Sequence, residues 1–224
     1  MADELQDLFE VPLFPLGVVL FPGMALPLHI FEPCNRDMIA DCLADQAPFG
    51  VVLAVAAGTA GQQAPAKIGT LARIVDYEKL PDDRYNLLAL GTRRFQVLET
   101  RHERSYLTGL VRPFRDTTRD DANLGPLISC ARLALRNYLS VVMSLVDSPP
   151  ERQIDIPTDP EDLSFLIGIC LTCEDCEKQE LLEMASVAQR LREGARMLSD
   201  ETTRMSHQVE SGITSSHSDR SMLN

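Results

Sequence analysis

The sequence predicts an α+β protein in which a β-rich N-terminal lobe precedes a helical C-terminal lobe. Up to about residue 115, apolar residues alternate with polar ones or form short runs, as in strands. After residue 116 they recur at helical spacing. A parallel α/β fold would alternate strands with helices, and this sequence does not. An antiparallel barrel or sandwich followed by helices is therefore expected.

Prolines interrupt the first apolar segment, which is FPLGVVLFPGMALPLHIFEP at residues 14–33. Proline is disfavoured in helix interiors and central strands, so we expect short extended pieces. A turn is predicted at Pro22, and an edge or bulged strand around Pro27. A helix is predicted at about 33–45, because Pro33 suits the first helical position. Residues 1–10 are expected to form an acidic N-terminal extension.

The rest of the β-rich lobe, which we place at residues 11–115, contains five more candidate strands and a polar, glycine-rich loop at 56–67. The strands are predicted at 49–55, 68–80, 85–91, 93–100 and 105–114. The helical lobe is placed at 116–206, with a polar linker at its start and a serine that suits a helix N-cap, Ser186. Its helices are predicted at 127–146, 163–173, 177–185 and 186–205. Residues 207–224 show no period and many serines, which predicts a disordered tail.

Composition and charge restrict the function classes. The chain of 224 residues has a formal net charge of −12, which argues against nucleic-acid binding and against attraction to an anionic membrane. The N-terminus lacks the pattern of an export signal, and no apolar run reaches the roughly 20 residues of a membrane helix. We therefore expect a cytoplasmic protein with reduced cysteines, as a monomer or weak homodimer.

Three cysteines, Cys170, Cys173 and Cys176, have a spacing that thiolate metal sites also use. A fourth ligand is not evident, although Cys130 or a distant histidine would be one option. Buried free cysteines commonly pack as small apolar residues. We therefore expect packing around a helix end, with the metal site as the alternative, and we expect no cofactor.

His29 lies between Leu28 and Ile30 on a predicted strand. A histidine can act as a general base, but no candidate nucleophile lies near it in the sequence. A structural role is expected. The alternative is a small hydrolase-like enzyme that uses a cysteine or histidine in a cleft between the lobes.

The segments PLFPLGVVLFPGMALPLHIFEP and RDMIADCL resemble the N-terminal substrate-binding domain of ATP-dependent Lon proteases. FGVVL, IGTLARI and GTRRFQV follow in the order that this family uses, and so does DLSFLIGICL with the two segments EKQELLE and VAQRLREGARML. The resemblance covers residues 10–200. Where the family commonly has an aromatic and a basic residue after FEP, this chain has Cys34 and Asn35.

The resemblance implies a PUA-like pseudo-barrel followed by a helical bundle. It also singles out motif residues, namely Pro15, Phe21, Pro22, Phe31, Glu32, Arg36, Gly69, Thr70, Gly91, Arg94 and Phe95. From their positions we hypothesise that Glu32 pairs with Arg94 and fixes the first helix to the barrel. A catalytic acid–arginine pair is the alternative.

The resemblance further implies binding without cleavage. An ATPase needs a lysine after glycine in its phosphate-binding loop, and none of Lys67, Lys79 and Lys178 follows a glycine. We therefore expect a non-catalytic module that binds unfolded or degradation-destined polypeptides, or a partner protease or chaperone. RNA binding is a further alternative, because PUA-like barrels elsewhere bind RNA, but the negative charge opposes it.

Overall fold

The computed structural model describes residues 7–57, 62–117, 124–145 and 155–221, with the backbone alone for 57, 62, 63 and 208–221. Its internal contacts divide the chain into two units. The β unit comprises Met1–Thr117 and Cys173–Ala185, and the helical unit comprises Thr118–Thr172 and Ser186–Asn224. The predicted linker falls largely on 118–123, outside the described residues.

The part of the β unit that the structure describes contains seven strands and two helices. The strands are β1 (Phe9–Leu16), β2 (Ala25–Ile30), β3 (Phe49–Ala57), β4 (Gln62–Pro65), β5 (Ile68–Lys79), β6 (Tyr85–Arg101) and β7 (Thr108–Pro113). The helices are α1 (Pro33–Asp45) and α4 (Asp175–Glu183). β1 begins within the predicted extension, of which residues 1–6 lie outside the described part of the chain.

Five of these strands close into a barrel. The hydrogen-bonded order runs β1-β7-β6-β5-β3, and β3 then pairs back to β1. The β1–β3 pairing is parallel, with Leu13 opposite Gly50, and the other pairings are antiparallel. β4 extends the sheet from β3, and β2 pairs with β6 outside the ring. The pseudo-barrel and the α+β class are thereby confirmed.

Phe95 of β6 fills the interior of this barrel. It is fully buried together with Val11, Leu13, Val52, Leu71 and Val111. Two glycines make room for its ring, because a Cβ at Gly50 or Gly69 would lie 2.6 or 2.8 Å from Phe95 Cζ. Small residues on neighbouring strands thus allow one aromatic side chain to occupy the centre of a narrow barrel.

A second apolar core lies between the barrel strands, β2 and α1. Met38, Ile39 and Cys42 form the buried stripe of α1, with the i, i+1, i+4 spacing expected of an amphipathic helix. They pack in one cluster with buried residues of the strands, including Phe14, Leu26, Ile30, Phe49, Val51, Tyr85, Leu87 and Ala89. α1 ends where Gln46 adopts a left-handed conformation with φ 52°.

β6 is one strand of 17 residues, whereas the sequence predicts a break near Gly91. The glycine serves a different purpose: a Cβ there would lie 2.3 Å from the carbonyl oxygen of Phe21. The Gly91 N–H donates to Met24 O, and Gly23 N–H donates to Gly91 O, both at 2.9 Å. Gly91 therefore allows the chain before β2 to cross the strand closely without ending it.

Two further differences concern β1 and β4. β1 is continuous although it contains Pro12 and Pro15, which lie opposite Thr108 and Val52. Its prolines interrupt the hydrogen-bond ladder but not the extended backbone. The predicted polar loop at 56–67 contains β4, which pairs with the end of β3, and residues 58–61 between them lie outside the described residues.

The short helix α4 belongs to the β unit, although the sequence predicts it as part of the helical lobe. Buried Gln179 donates from Nε2 to the carbonyl oxygen of Ile68 at 2.9 Å. Leu181 and Leu182 are also buried, and Thr117 N–H donates to Ala185 O at 2.7 Å. These contacts join segments about 70 to 110 residues apart in the chain, a separation that sequence periodicity does not detect.

The helical unit contains α2 (Gly125–Ser144), α3 (Pro160–Cys170) and α5 (Val187–Ser221). α5 packs against both other helices, and Gly194 allows its close approach to Ile167 of α3. Arg190 is buried, donates to Ser164 Oγ at 3.0 Å and lies 4.6 Å from the ring centroid of Phe165.

α5 extends beyond its predicted end. The Gln189 N–H donates to Ser186 Oγ at 3.3 Å, as an N-cap serine does. The backbone remains helical to Ser221, whereas the sequence predicts a disordered tail from residue 207, and 222–224 lie outside the described residues. Extending an existing helix costs far less than nucleating one, so poor periodicity alone does not mark the helix end.

Candidate functional site

Five of the eleven predicted motif residues hold the barrel together. Phe95 and Gly69 form the barrel interior, and Thr70, fully buried, donates from Oγ1 to the carbonyl oxygen of Leu20 at 2.6 Å. Phe21 is buried beside Gly91. These residues fix the backbone of the barrel, whose strands β5 and β6 also form part of the exposed surface described below.

Pro22 lies in the turn that leads into β2. Met24 N–H donates to Phe21 O at 3.1 Å, and Gly23 has φ 81°, a conformation that favours glycine. The predicted turn is therefore present, and it sets the direction in which β2 leaves the barrel.

The hypothesised pair between Glu32 and Arg94 is wrong. Glu32 accepts a hydrogen bond from Asn35 Nδ2 at 2.8 Å on the exposed start of α1. Arg94 is instead buried and pairs with Asp116. Arg94 also donates to the carbonyl oxygens of Leu182 and Met184, so it fixes α4 and not α1. The true partners lie far along the chain, where spacing gives no signal.

Arg36 connects α1 to the turn between β5 and β6. Its Nη1 donates to the carbonyl oxygen of Asp82 at 3.1 Å. Its Nε is buried and has no hydrogen-bond partner among the described residues. Arg36 therefore performs the helix-fixing function that the sequence assigned to a different pair.

An exposed apolar surface lies where β2, β6 and β5 run side by side beyond the barrel. Phe31, Tyr77 and Leu88 are 60%, 53% and 38% exposed. Leu88 lies directly between Pro27 of β2 and Asp76 of β5 in the strand register. Leu87 and Ala89, the neighbours of Leu88 on β6, are buried. Because side chains alternate along a strand, the side chain of Leu88 points outward. We use the name β2 surface for the exposed residues Pro27, His29, Phe31, Tyr77 and Leu88 together with the partly buried Leu28.

Two grooves flank this surface and share Leu28 and His29. The first groove, of about 600 Å³, is lined by residues of β2, β5 and β6, including Tyr77, Asn86 and Leu88. The second, of about 380 Å³, lies between the end of β1 and the end of β2 and includes Pro15, Phe31 and Glu32. Among the predicted motif residues, only these three line a groove of the β2 surface.

A row of polar side chains crosses the three strands next to Leu88. His29 Nδ1 lies 2.7 Å from Asn86 Oδ1, and Asn86 Nδ2 lies 3.5 Å from Glu78 Oε2. Because the amide oxygen of Asn86 only accepts, Nδ1 of His29 is the donor of this hydrogen bond. Arg84 Nη1 lies 3.5 Å from His29 Nε2. The His29 ring also stacks on Phe31, with centroids 6.2 Å apart.

These contacts give His29 no catalytic arrangement. Its polar contacts among the described residues are Asn86 and Arg84, and neither is a nucleophile. Within the same part of the chain, no group of three or more His, Cys, Asp or Glu side chains is placed to hold a metal ion. The surface offers apolar area and hydrogen-bonding groups, which suit binding.

Sequence reasoning missed most of the β2 surface. It assigned His29 a structural role and did not single out Tyr77, Asn86 or Leu88. The alternation of Leu87, Leu88 and Ala89 would have marked Leu88 as outward-facing only if the inner face had been known. In a long apolar strand, an exposed leucine between two buried residues cannot be recognised from the sequence alone.

No helix in the described part of the chain is both long and apolar enough to cross a membrane. The comparisons with known proteins agree with the fold. The family described as the ATP-dependent protease La (LON) substrate-binding domain matches residues 10–200.

Two curated relatives are whole proteases. The Lon protease of Anaeromyxobacter dehalogenans is 28% identical over 212 residues, which cover 91% of this chain and 25% of that protein. Lon protease 2 of Myxococcus xanthus is 27% identical over 220 residues, which cover 93% and 26%. The chain thus spans about a quarter of the length of these relatives.

Two solved structures share the architecture. The crystal structure of a Lon N-terminal domain protein from Xanthomonas campestris has a TM-score of 0.58 and 28% identity, covering 83% of this chain and 96% of that one. The N-terminal domain of Mycobacterium avium complex Lon protease has a TM-score of 0.65 at 18% identity, covering 86% and 99%, and shows the fold alone. With the match over residues 10–200, these findings show that the chain belongs to the Lon substrate-binding domain family.

Proposed function

We propose that this chain is a non-catalytic module that binds polypeptide segments through the β2 surface. The family description names substrate binding, and the substrates of an ATP-dependent protease are polypeptides. The binding partners of this chain would be unfolded or degradation-destined polypeptides, or a partner protease or chaperone.

The observation that carries the proposal is the exposure of Phe31, Tyr77 and Leu88 around two adjoining grooves. Aromatic and aliphatic side chains at such exposure contribute binding energy when a partner removes them from water. An unfolded chain exposes apolar side chains that a folded protein buries, so it is a suitable partner for this surface.

β2 adds a backbone contribution to the same surface. Among the described strands it is hydrogen-bonded to β6 alone, so its other edge is available beside the second groove. An extended polypeptide can pair with such an edge, with its side chains in the grooves. Pro27 lacks an N–H, which limits this pairing to the part of the strand after it.

The proposal is tested with a fluorescently labelled, permanently unfolded polypeptide titrated with the whole chain. The variant Phe31→Ser with Leu88→Ser should weaken binding about tenfold or more, because two exposed apolar anchors are lost. Leu133→Ser is the matched control, since Leu133 is 59% exposed on α2 in the helical unit. It should leave the affinity within about twofold.

Equal weakening by the control and by the double variant would contradict the proposed surface. No measurable binding of any unfolded polypeptide by a folded wild-type chain would contradict the proposed function itself. Folding of each variant is checked beforehand by its thermal unfolding, because exposed positions are expected to change it little.

A further inference from the structure

Two carboxylates line the first groove of the β2 surface, those of Asp76 and Glu78 on β5. Both side chains are exposed, and neither forms an ion pair with a residue that the structure describes. Their neighbours at the β5–β6 turn behave differently: Asp82 pairs with Arg84 at 2.5 Å, and Asp83 pairs with Lys79 at 2.8 Å. Lys79 and Arg84 are thus each paired with a carboxylate of the turn and not with Asp76 or Glu78.

The strand register places these carboxylates beside the apolar part of the groove. Asp76 lies opposite Leu88, and Glu78 lies opposite Asn86, two residues further along the strand pair. On the other side of β6, Leu88 lies opposite Pro27. The groove therefore has an apolar part formed by Pro27 of β2 and Leu88 of β6, and an acidic side at β5. Leu88 is separated from β5 by roughly 5 Å, the spacing of neighbouring strands.

Among the described residues that line this groove, none is a lysine or an arginine. The polar groups that do line it are already engaged: His29 with Asn86 and Arg84, and Asn86 with Glu78. An acidic segment would meet two carboxylates of like charge, whereas a lysine or arginine would supply the missing opposite charge.

We propose that the first groove selects polypeptide segments in which a lysine or arginine lies next to an apolar residue. The apolar side chain lies on Pro27 and Leu88, and the cation lies within reach of Asp76 and Glu78. This inference rests on the proposed function, because it assumes that the β2 surface binds polypeptide, and it adds the class of segment that is preferred.

The test compares three labelled peptides that differ only beside a central leucine, where they carry lysine, glutamine or glutamate. The lysine peptide should bind the whole chain about threefold to tenfold more tightly than the glutamine peptide, with the glutamate peptide weakest. Salt at about 0.5 M should remove most of the difference, because exposed charges are screened.

The variant Asp76→Asn with Glu78→Gln should bring the three affinities to within about twofold of one another. Asp155→Asn with Glu180→Gln is the matched control, because both of these side chains are exposed and lie outside the groove. It should preserve the preference for lysine, which separates the groove from the overall negative charge of the chain.

Equal affinities for the three peptides overturn the inference, and so does a lysine preference that survives in the Asp76→Asn, Glu78→Gln variant. If binding in those cases is still lost on Phe31→Ser with Leu88→Ser, the proposed function stands and only the selectivity fails. If no peptide binds, or if that apolar variant binds normally, both proposals fail.

Discussion

Arg94 and Asp116 form an ion pair in the interior of the β unit, where Arg94 is only 4% exposed. The same guanidinium donates from Nη1 to the carbonyl oxygens of Leu182 and Met184, at 2.6 and 2.7 Å. It also lies 4.8 Å from the ring centroid of Phe114. One buried cation therefore joins β6, the segment after β7 and the end of α4.

Replacing Arg94 by methionine should lower the free energy of unfolding by about 3–5 kcal/mol, because Asp116 and the carbonyls of Leu182 and Met184 lose the hydrogen bonds that the buried guanidinium donates. Denaturation by urea measures this change. Arg93→Met is the control, since Arg93 is exposed on the same strand, and it should change stability by less than about 0.5 kcal/mol.

A second variant separates the ion pair from the packing of the arginine. Arg94→Met with Asp116→Leu should be more stable than Arg94→Met alone, because the negative charge of Asp116 is then removed together with the guanidinium that balances it. An Arg94→Met protein with unchanged stability would show that the buried pair contributes nothing to the fold.

The sequence predicts the parts of this fold that depend on neighbouring residues. The β-then-α order and the start of α1 at Pro33 follow from periodicity and from proline's preference for the first helical position. Placing Phe95 at the centre of the barrel required knowledge of Gly50 and Gly69 on other strands. Contacts of that kind leave no local pattern.

The candidate site depends even more on distant contacts. His29, Asn86 and Glu78 come from three strands, and nothing in their local sequence indicates that they form one row. Arg94 illustrates the same limit, because the sequence suggested a strong pair for it but could not identify Asp116 as the partner. The residue types indicated which side chains form polar contacts. Identifying their partners required the register of the strands.

Gly69 is expected to tolerate no side chain. An added Cβ would lie 2.5 Å from the carbonyl oxygen of Val51, a backbone atom that cannot move aside alone. Gly69→Ala should therefore lower the free energy of unfolding by about 1–3 kcal/mol. At Gly17 a Cβ would meet nothing within 4 Å, so Gly17→Ala should change it by less than about 0.5 kcal/mol. Similar stabilities for the two variants would contradict the close packing of β3 against β5.

The hydroxyl of Tyr106 connects the β6–β7 connection to α1. It donates to Asp41 Oδ2 at 2.6 Å and accepts from Arg104 Nη1 at 2.7 Å. Tyr106→Phe keeps the buried ring and removes both hydrogen bonds, which should cost about 0.5–1.5 kcal/mol in thermal or urea unfolding. Tyr77→Phe on the exposed surface should cost less than about 0.5 kcal/mol. Equal effects would argue against a contribution from the Tyr106 hydroxyl.

Cys42 should make the stability of the protein fall at alkaline pH. The pKa of its thiol is raised from the ordinary 9.0 to about 11, mainly by burial and to a smaller extent by the carboxylates of Asp41 and Asp45. Between these two pH values the unfolded chain loses the proton while the folded chain keeps it. Unfolding therefore becomes easier as pH rises, by about 2–3 kcal/mol at the alkaline limit, and the contribution is fully present below pH 9.

Because lysines and tyrosines also titrate at alkaline pH, the measurement is the difference between the wild type and Cys42→Val. Valine is similar in size and does not ionise, so the variant should lose less stability than the wild type between about pH 8 and about pH 10.5. Parallel pH curves would show that the thiol ionises equally in both states. Alkylation of the folded chain at neutral pH gives an independent check: the exposed Cys130 and Cys176 should react, and buried Cys42 should react only as the β unit opens.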